Sequence, residues 1–229
     1  MNNLGLAFAG KTEDVVQAVR TTSESKVSVT IDARRLNGAQ DAYSKDFLTG
    51  LPFFDHMLYG VASRALLKIS ARFEQTSGAP KFAHVVCEDV GLTLGAAVRE
   101  MLDQRKAGGV EQRGFFQVAF DDGLACATLA FDGRPYCFFQ YSEGLAAPTV
   151  EGLESSSLKQ FFEGFAIGAG ANLVIESKAL VQMQDAHHAW EAVFKAFGEA
   201  LRQSISRCPA KAGKTIGLKG TGAEAKMRG

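Results

Sequence analysis

Residues 27–32 alternate, with Val27, Val29 and Ile31 on one side and Ser28, Thr30 and Asp32 on the other. That period of two predicts a strand with one buried face. Residues 65–73, 115–120, 126–131 and 136–141 read the same way, and Asp121-Asp122-Gly123 and Asp132-Gly133 supply hairpin turns between them. Elsewhere the period changes. Val90, Leu94, Ala97, Val98 and Met101 recur at helical spacing, as do Trp190, Val193, Phe194, Phe197, Leu201 and Ile205. These runs predict amphipathic helices ending near Arg105 and Arg207. Further amphipathic stretches follow Phe53-Phe54-Asp55 and Phe161-Phe162-Glu163.

The pattern occurs twice. Phe53-Phe54-Asp55 leads to Leu66-Leu67-Lys68-Ile69-Ser70, then to His84 and a helix; Phe161-Phe162-Glu163 leads to Asn172-Leu173-Val174-Ile175-Glu176, then to His187 and a helix. Inside the later helices, Glu88 is followed by Gly95 and Arg99 at the offsets at which Glu191 is followed by Gly198 and Arg202. Amphipathic helices in general share apolar spacing but not the placement of His, Glu, Gly and Arg, so duplication is the better account. The expected fold is α+β: an internally duplicated two-layer unit, each half a mixed sheet with helices on one face. The expected boundaries are an N-terminal extension over residues 1–19, a first half over 20–110, a second half over 111–207 and a mobile tail over 208–229, all in one compact domain.

Composition narrows the partners. Lys+Arg and Asp+Glu balance at 25 each, so no overall field draws nucleic acid or an anionic membrane, and any anion site must be a local cluster. The apolar run at residues 4–9 is far too short to span a bilayer. Cys87, Cys126, Cys137 and Cys208 lack the spacing of a zinc knuckle or redox pair. Cys87, inside a helical pattern, reads as core filling. Free thiols and no signal-peptide pattern point to the cytoplasm.

All four histidines lie near carboxylates in the sequence. His56 follows Asp55, His84 precedes Glu88 by four residues, and His187 and His188 precede Glu191 by four and three. Positions three or four apart share a helix face, so each His/Glu set is able to converge on one cation. Neutral imidazole with carboxylate suits manganese, iron or zinc better than calcium or magnesium.

Several longer segments resemble the imidazoleglycerol-phosphate dehydratase family. They are Arg20-Thr21-Thr22-Ser23-Glu24-Ser25, Thr49-Gly50-Leu51-Pro52-Phe53-Phe54-Asp55-His56-Met57-Leu58, Glu88-Asp89-Val90-Gly91, Gly133-Arg134-Pro135-Tyr136, His187-His188-Ala189-Trp190-Glu191-Ala192-Val193-Phe194-Lys195 and Lys219-Gly220. The resemblance implies a duplicated fold, a shell of twenty-four subunits with two manganese ions held between them, and removal of water from imidazole glycerol phosphate to give imidazole acetol phosphate. It places His56, His84, Glu88, His187, His188 and Glu191 at metal-ligand positions. It assigns proton transfer to Glu24 with Glu88 and Glu191, and phosphate binding to Arg113, Arg134, Lys195 and Lys219. A cation at the imidazole lets the ring take up charge while the hydroxyl departs.

The family pattern is also broken. Val85 and Val174 stand where the family places histidines, leaving six of eight ligands. The family's Asp-Glu-Ala-Leu becomes Asp121-Asp122-Gly123-Leu124, and its Ser-Thr-Lys-Gly becomes Gly217-Leu218-Lys219-Gly220. Three readings follow: an active divergent dehydratase using manganese, an impaired paralogue that binds a phosphorylated imidazole, or another metal-dependent lyase on the scaffold. The first leads because the acid/base and phosphate candidates survive together.

Overall fold

The alternation at residues 27–32 lies in a strand of eight residues, Ser25–Asp32. In the computed structural model, which describes residues 4–34, 46–76, 78, 80–140, 147–179 and 186–217, it is the third strand of a five-stranded sheet. The strands are β1 (Gly5–Lys11), β2 (Val15–Thr21), β3 (Ser25–Asp32), β4 (Phe47–Leu48) and β5 (Lys68–Gln75), in the order β1-β2-β3-β5-β4. A second sheet holds β6 (Arg113–Phe120), β7 (Gly123–Ala130), β8 (Tyr136–Gln140) and β11 (Asn172–Ala179), in the order β6-β7-β11-β8. A short ribbon of β9 (Thr149–Val150) and β10 (Leu153–Glu154) sits between β8 and the third helix in the chain. The helices are α1 (Pro52–Ala65), α2 (Ala83–Arg105), α3 (Ser155–Ala169) and α4 (Ala186–Ser204).

Topology carries the duplication. The run β2-β3-β5-β4 in one sheet is repeated as β6-β7-β11-β8 in the other, with antiparallel neighbours at the first two steps and a parallel pair at the third. Among the described residues, β1 has no counterpart in the second sheet. The segment read as an N-terminal extension therefore forms an added edge strand and most of β2, which belongs to the repeat.

Local chemistry sets the helix ends. Pro52 opens α1, where a missing N–H costs nothing, and the Asp55 carboxylate accepts the Thr49 hydroxyl at 2.6 Å and the Thr49 N–H at 3.2 Å. The strand expected at 65–73 begins only at Lys68: Ala65 closes α1, and Leu66 adopts a left-handed cap with φ 54° whose N–H turns back to the last carbonyls. Gly170 ends α3 in the same way, with φ 61°.

The helices form the layer between the sheets. α2 packs on β2 and β3 and on α3; α4 packs on β6 and β7 and on α1. Each sheet turns one face inward, with Val27, Val29 and Ile31 on one side and Ala125, Ala127, Leu129, Leu173 and Ile175 on the other, all buried. Between them Phe54, Phe161, Phe162, Phe165, Phe194, Phe197 and Trp190 interlock, largely edge to face. α2 and α3 meet backbone to backbone, because a Cβ at Gly91 or Gly95 would stand 2.1 or 2.3 Å from the Phe161 or Phe165 carbonyl oxygen. Gly164 and Gly168 on α3 are equally tight against the carbonyls of Glu88 and Leu92.

The tail read as mobile is tied down as far as it is described. The Cys208 N–H donates to the Gly109 carbonyl at 3.0 Å, the Gly213 N–H to the Lys106 carbonyl at 2.9 Å, and Ile216 is buried. Gln112 clasps the end of this segment: its side chain donates to the Thr215 carbonyl at 3.1 Å and accepts the Gly217 N–H at 2.9 Å. Lys219 lies outside the described residues.

Candidate metal centre and active site

α1 and α4 come from opposite halves of the chain, yet they lie against each other, with Gly198 under the Val61 carbonyl and Arg64. The contact brings His56, on the second turn of α1, over His187 and Glu191 on the first turns of α4. One donor atom from each lies within 4.8 Å of the others. His187 Nε2 is 3.4 Å and His56 Nε2 is 3.8 Å from Glu191 Oε2.

The two oxygens of Glu191 have different neighbours. Oε2 faces both imidazoles, while Oε1 accepts the Lys195 ammonium at 2.9 Å, one helical turn on. Burial alone would push the Glu191 carboxyl up; the Lys195 ammonium, with His56 and His187, outweighs it and holds the pKa below the ordinary value. His187 is oriented from its far side, with Nδ1 3.1 Å from Glu151 Oε1. A carboxylate there favours the proton on Nδ1 and leaves the Nε2 lone pair directed at the cluster. Two imidazole nitrogens and one carboxylate oxygen form a donor set that fits a divalent transition metal.

The other expected ligands are placed differently. His188 turns to the β6–β7 hairpin, with Nδ1 3.0 Å from Asp122 Oδ1 and Nε2 3.6 Å from Asp121 Oδ2. His84 opens α2, exposed and stacked on Phe82 with ring centres 5.6 Å apart. Among the described residues no carboxylate lies at ion-pair distance from His84, and Glu88 is half-buried one turn further on. One chain thus gathers three of the six expected ligands. Val85 is half-buried beside His84, and Val174 lies on the outward face of its sheet, level with Thr128 and Phe138.

The basic residues divide similarly. Arg113 is exposed, 3.6 Å from Asp132, and borders a cavity of about 590 Å³ walled also by Glu111, Gln112, Lys211, Lys214 and Gly217. Arg134 is exposed just beyond the Asp132-Gly133 turn. Lys195, which the resemblance places at a phosphate position, sits beside the histidine cluster, its ammonium bound to Glu191 and 3.1 Å from the centre of the Phe120 ring. Glu24 is exposed on the β2–β3 turn.

Sequence reading missed Glu151 altogether and took Asp121 and Asp122 as part of a turn, not as partners of a histidine. No spacing rule links them to a histidine, because the contacts, 36 and 66 residues apart for Glu151 and Asp122, exist only after the second half has folded. All four cysteines are free. Burial pushes the Cys137 thiol up to about 12 and Cys87 higher still, so neither supplies a thiolate nucleophile.

A duplicated α+β fold with a histidine–carboxylate cluster at the meeting of its halves defines an enzyme-like protein with a transition-metal donor set. Comparison with known proteins makes the class specific. Residues 49–201 match the family described as imidazoleglycerol-phosphate dehydratase. The imidazoleglycerol-phosphate dehydratase of Burkholderia pseudomallei is 36% identical over 207 residues, covering 90% of this chain and 98% of that one. That of Symbiobacterium thermophilum is 35% identical over 197 residues, covering 86% and 88%. Among solved structures, the Pyrococcus furiosus enzyme superposes with a TM-score of 0.68 at 27% identity, covering 89% of this chain and 99% of that one. The Staphylococcus aureus enzyme gives 0.65 at 25%, covering 85% and 99%. The chain belongs to the imidazoleglycerol-phosphate dehydratase family.

Proposed function

We propose that this protein carries out its family's dehydration in histidine biosynthesis, imidazole glycerol phosphate to imidazole acetol phosphate, and that it does so with manganese or a similar divalent cation. The observation that carries the cation is the convergence of His56, His187 and Glu191 in one cluster. When bound, such a cation withdraws charge from the substrate imidazole as the hydroxyl leaves.

The chain's own residues supply the rest. Glu151 fixes the ring of His187, and Lys195 holds one Glu191 oxygen so that the other faces the cluster. A proton must leave carbon and another must reach the departing hydroxyl, so that one water is released. Glu24, an exposed carboxylate on a pinned turn, is our candidate for one transfer, with Glu88 and Glu191 as its partners in acid/base work. Arg113, Arg134, Lys195 and Lys219 are the candidates for the phosphate dianion, which a protein of zero net charge must meet locally.

His84, Glu88 and His188 lie outside the one-chain cluster, so we infer that a second copy completes the site in a large homo-oligomer. A cytoplasmic setting fits the four free cysteines, and among the described residues no helix is long and apolar enough to cross a membrane. Val85 and Val174 favour a second reading, an impaired enzyme that retains binding. Metal analysis of protein purified without chelator, followed by a dehydration assay with and without manganese, separates the two. Turnover that vanishes on chelation supports the first, and full metal content without turnover supports the second.

A further inference from the structure

We propose that Asp89 and Ser25 form a clamp that positions Glu24, tying the turn that carries it to the helix that carries Glu88. The inference rests on the reading of Glu24 as a proton-transfer group.

Asp89 follows Glu88 on α2 and is almost fully buried. A buried carboxylate is costly unless both oxygens are satisfied. Here Oδ1 accepts Arg20 Nη1 at 2.5 Å, and Oδ2 accepts the Ser25 hydroxyl. Arg20 is near the end of β2 and Ser25 opens β3, so a single side chain on α2 holds both shoulders of the turn that presents Glu24. The Asp89 backbone is itself braced, its carbonyl accepting the Thr93 hydroxyl at 2.7 Å.

The turn is rigid from within as well. Thr22 Oγ1 accepts the N–H of Glu24 at 3.1 Å and of Ser25 at 2.9 Å, and it contacts Ser25 Oγ at 3.0 Å. Just after β5, the Thr76 N–H donates to the Glu24 carbonyl at 2.9 Å, and the Thr76 hydroxyl to the Ser23 carbonyl at 3.1 Å. Every group that fixes Glu24 acts on its backbone, while its side chain projects to solvent. The position of that carboxylate relative to α2 is therefore inherited through Ser25 and Arg20 from Asp89. A buried ion pair that only stabilised the fold would not need to grip both sides of one exposed glutamate.

The test measures kcat, KM, bound manganese and melting temperature for the manganese-loaded full-length protein. The variants are Ser25→Ala, Ser25→Thr, Asp89→Asn, Glu24→Gln and the double change Ser25→Ala with Glu24→Gln. Ser25→Ala is expected to lower kcat about tenfold or more, because a displacement on the order of an ångström costs rate steeply. KM and manganese content should hold, and Ser25→Thr, which keeps the hydroxyl, should restore most of the rate. In the Glu24→Gln background Ser25→Ala should cost nothing further, since the group it positions is already gone. Full kcat in Ser25→Ala and Asp89→Asn, beside a deficient Glu24→Gln, would overturn the clamp while leaving Glu24 in place. An equal further loss in the double variant overturns it too. Full kcat in Glu24→Gln overturns the reading of Glu24 itself, and the clamp with it. If Asp89→Asn does not fold, the Ser25 series decides alone.

Discussion

Glu191 Oε2 lies 3.8 Å from His56 Nε2, an ion-pair contact between helices from the two halves of the duplicated chain. The relation is specific to one of the two helix pairings. In the related pairing of α2 with α3, Gly164 packs so close to the Glu88 carbonyl that a Cβ would stand 2.5 Å from it. There is no room at that position for a histidine, and among the described residues the duplication yields one three-residue cluster rather than two.

Metal binding should follow the protonation of the histidines. Both imidazoles of the cluster must be neutral to bind, so metal binding should release protons and weaken as the solution is acidified. Titration by calorimetry at pH 5.5 and 7.5 should show at least tenfold weaker binding at the lower value. His187→Ala should weaken binding and reduce its pH dependence, with His56 still to be deprotonated.

Without metal, Glu191 should contribute to acid stability. Its folded pKa lies below the ordinary 4.5, so its contribution is fully present above that value and lost as pH falls through the depressed one. Lys195→Met removes the strongest group lowering it, and burial then raises the carboxyl. Melting of the metal-free variant between pH 3 and 6 should place the acid limb at higher pH than in the parent chain.

The glycine contacts between α2 and α3 predict large stability losses from small additions. Gly91→Ala and Gly168→Ala each put a Cβ about 2.1 Å from a backbone carbonyl oxygen, which no rotamer change relieves. We expect each to cost roughly 2–3 kcal/mol or more by overpacking, read as a lowered denaturation midpoint. Gly78→Ala, with open space around it, should change stability little.

Two truncations should separate folding from chemistry at the C-terminus. Ending the chain after Gly213 removes Ile216, which is 2% exposed, and the partners of Gln112. Loss of that burial should cost about 1.5–3 kcal/mol. Ending it after Gly217 keeps those contacts and removes Lys219, so the melting temperature should hold while affinity for a phosphate ester falls.

The missing imidazoles can be restored. Val85→His with Val174→His should raise both manganese content and turnover, each single change giving less than half the gain because ligands act as a unit. A double variant with a full metal complement and no added turnover would show that the limiting defect lies elsewhere.

The sequence by itself determined the helices, five of the longer strands and their duplication, because strand and helix periods are local, but it left β1 and β2 inside an expected extension. It also marked His56, His187 and Glu191, since motif spacing needs only one turn of helix to be meaningful. Its limits were equally physical. Leu66 stopped the β5 alternation from starting at residue 65 because a left-handed cap is decided by the helix it closes. Tertiary structure alone brought His56 across to Glu191 and set Glu151 behind His187. It likewise pinned residues 208–217, which composition had marked as mobile, through Gln112 and the burial of Ile216. Such contacts join residues far apart in the chain, and their formation depends on how the helical layer packs between two sheets.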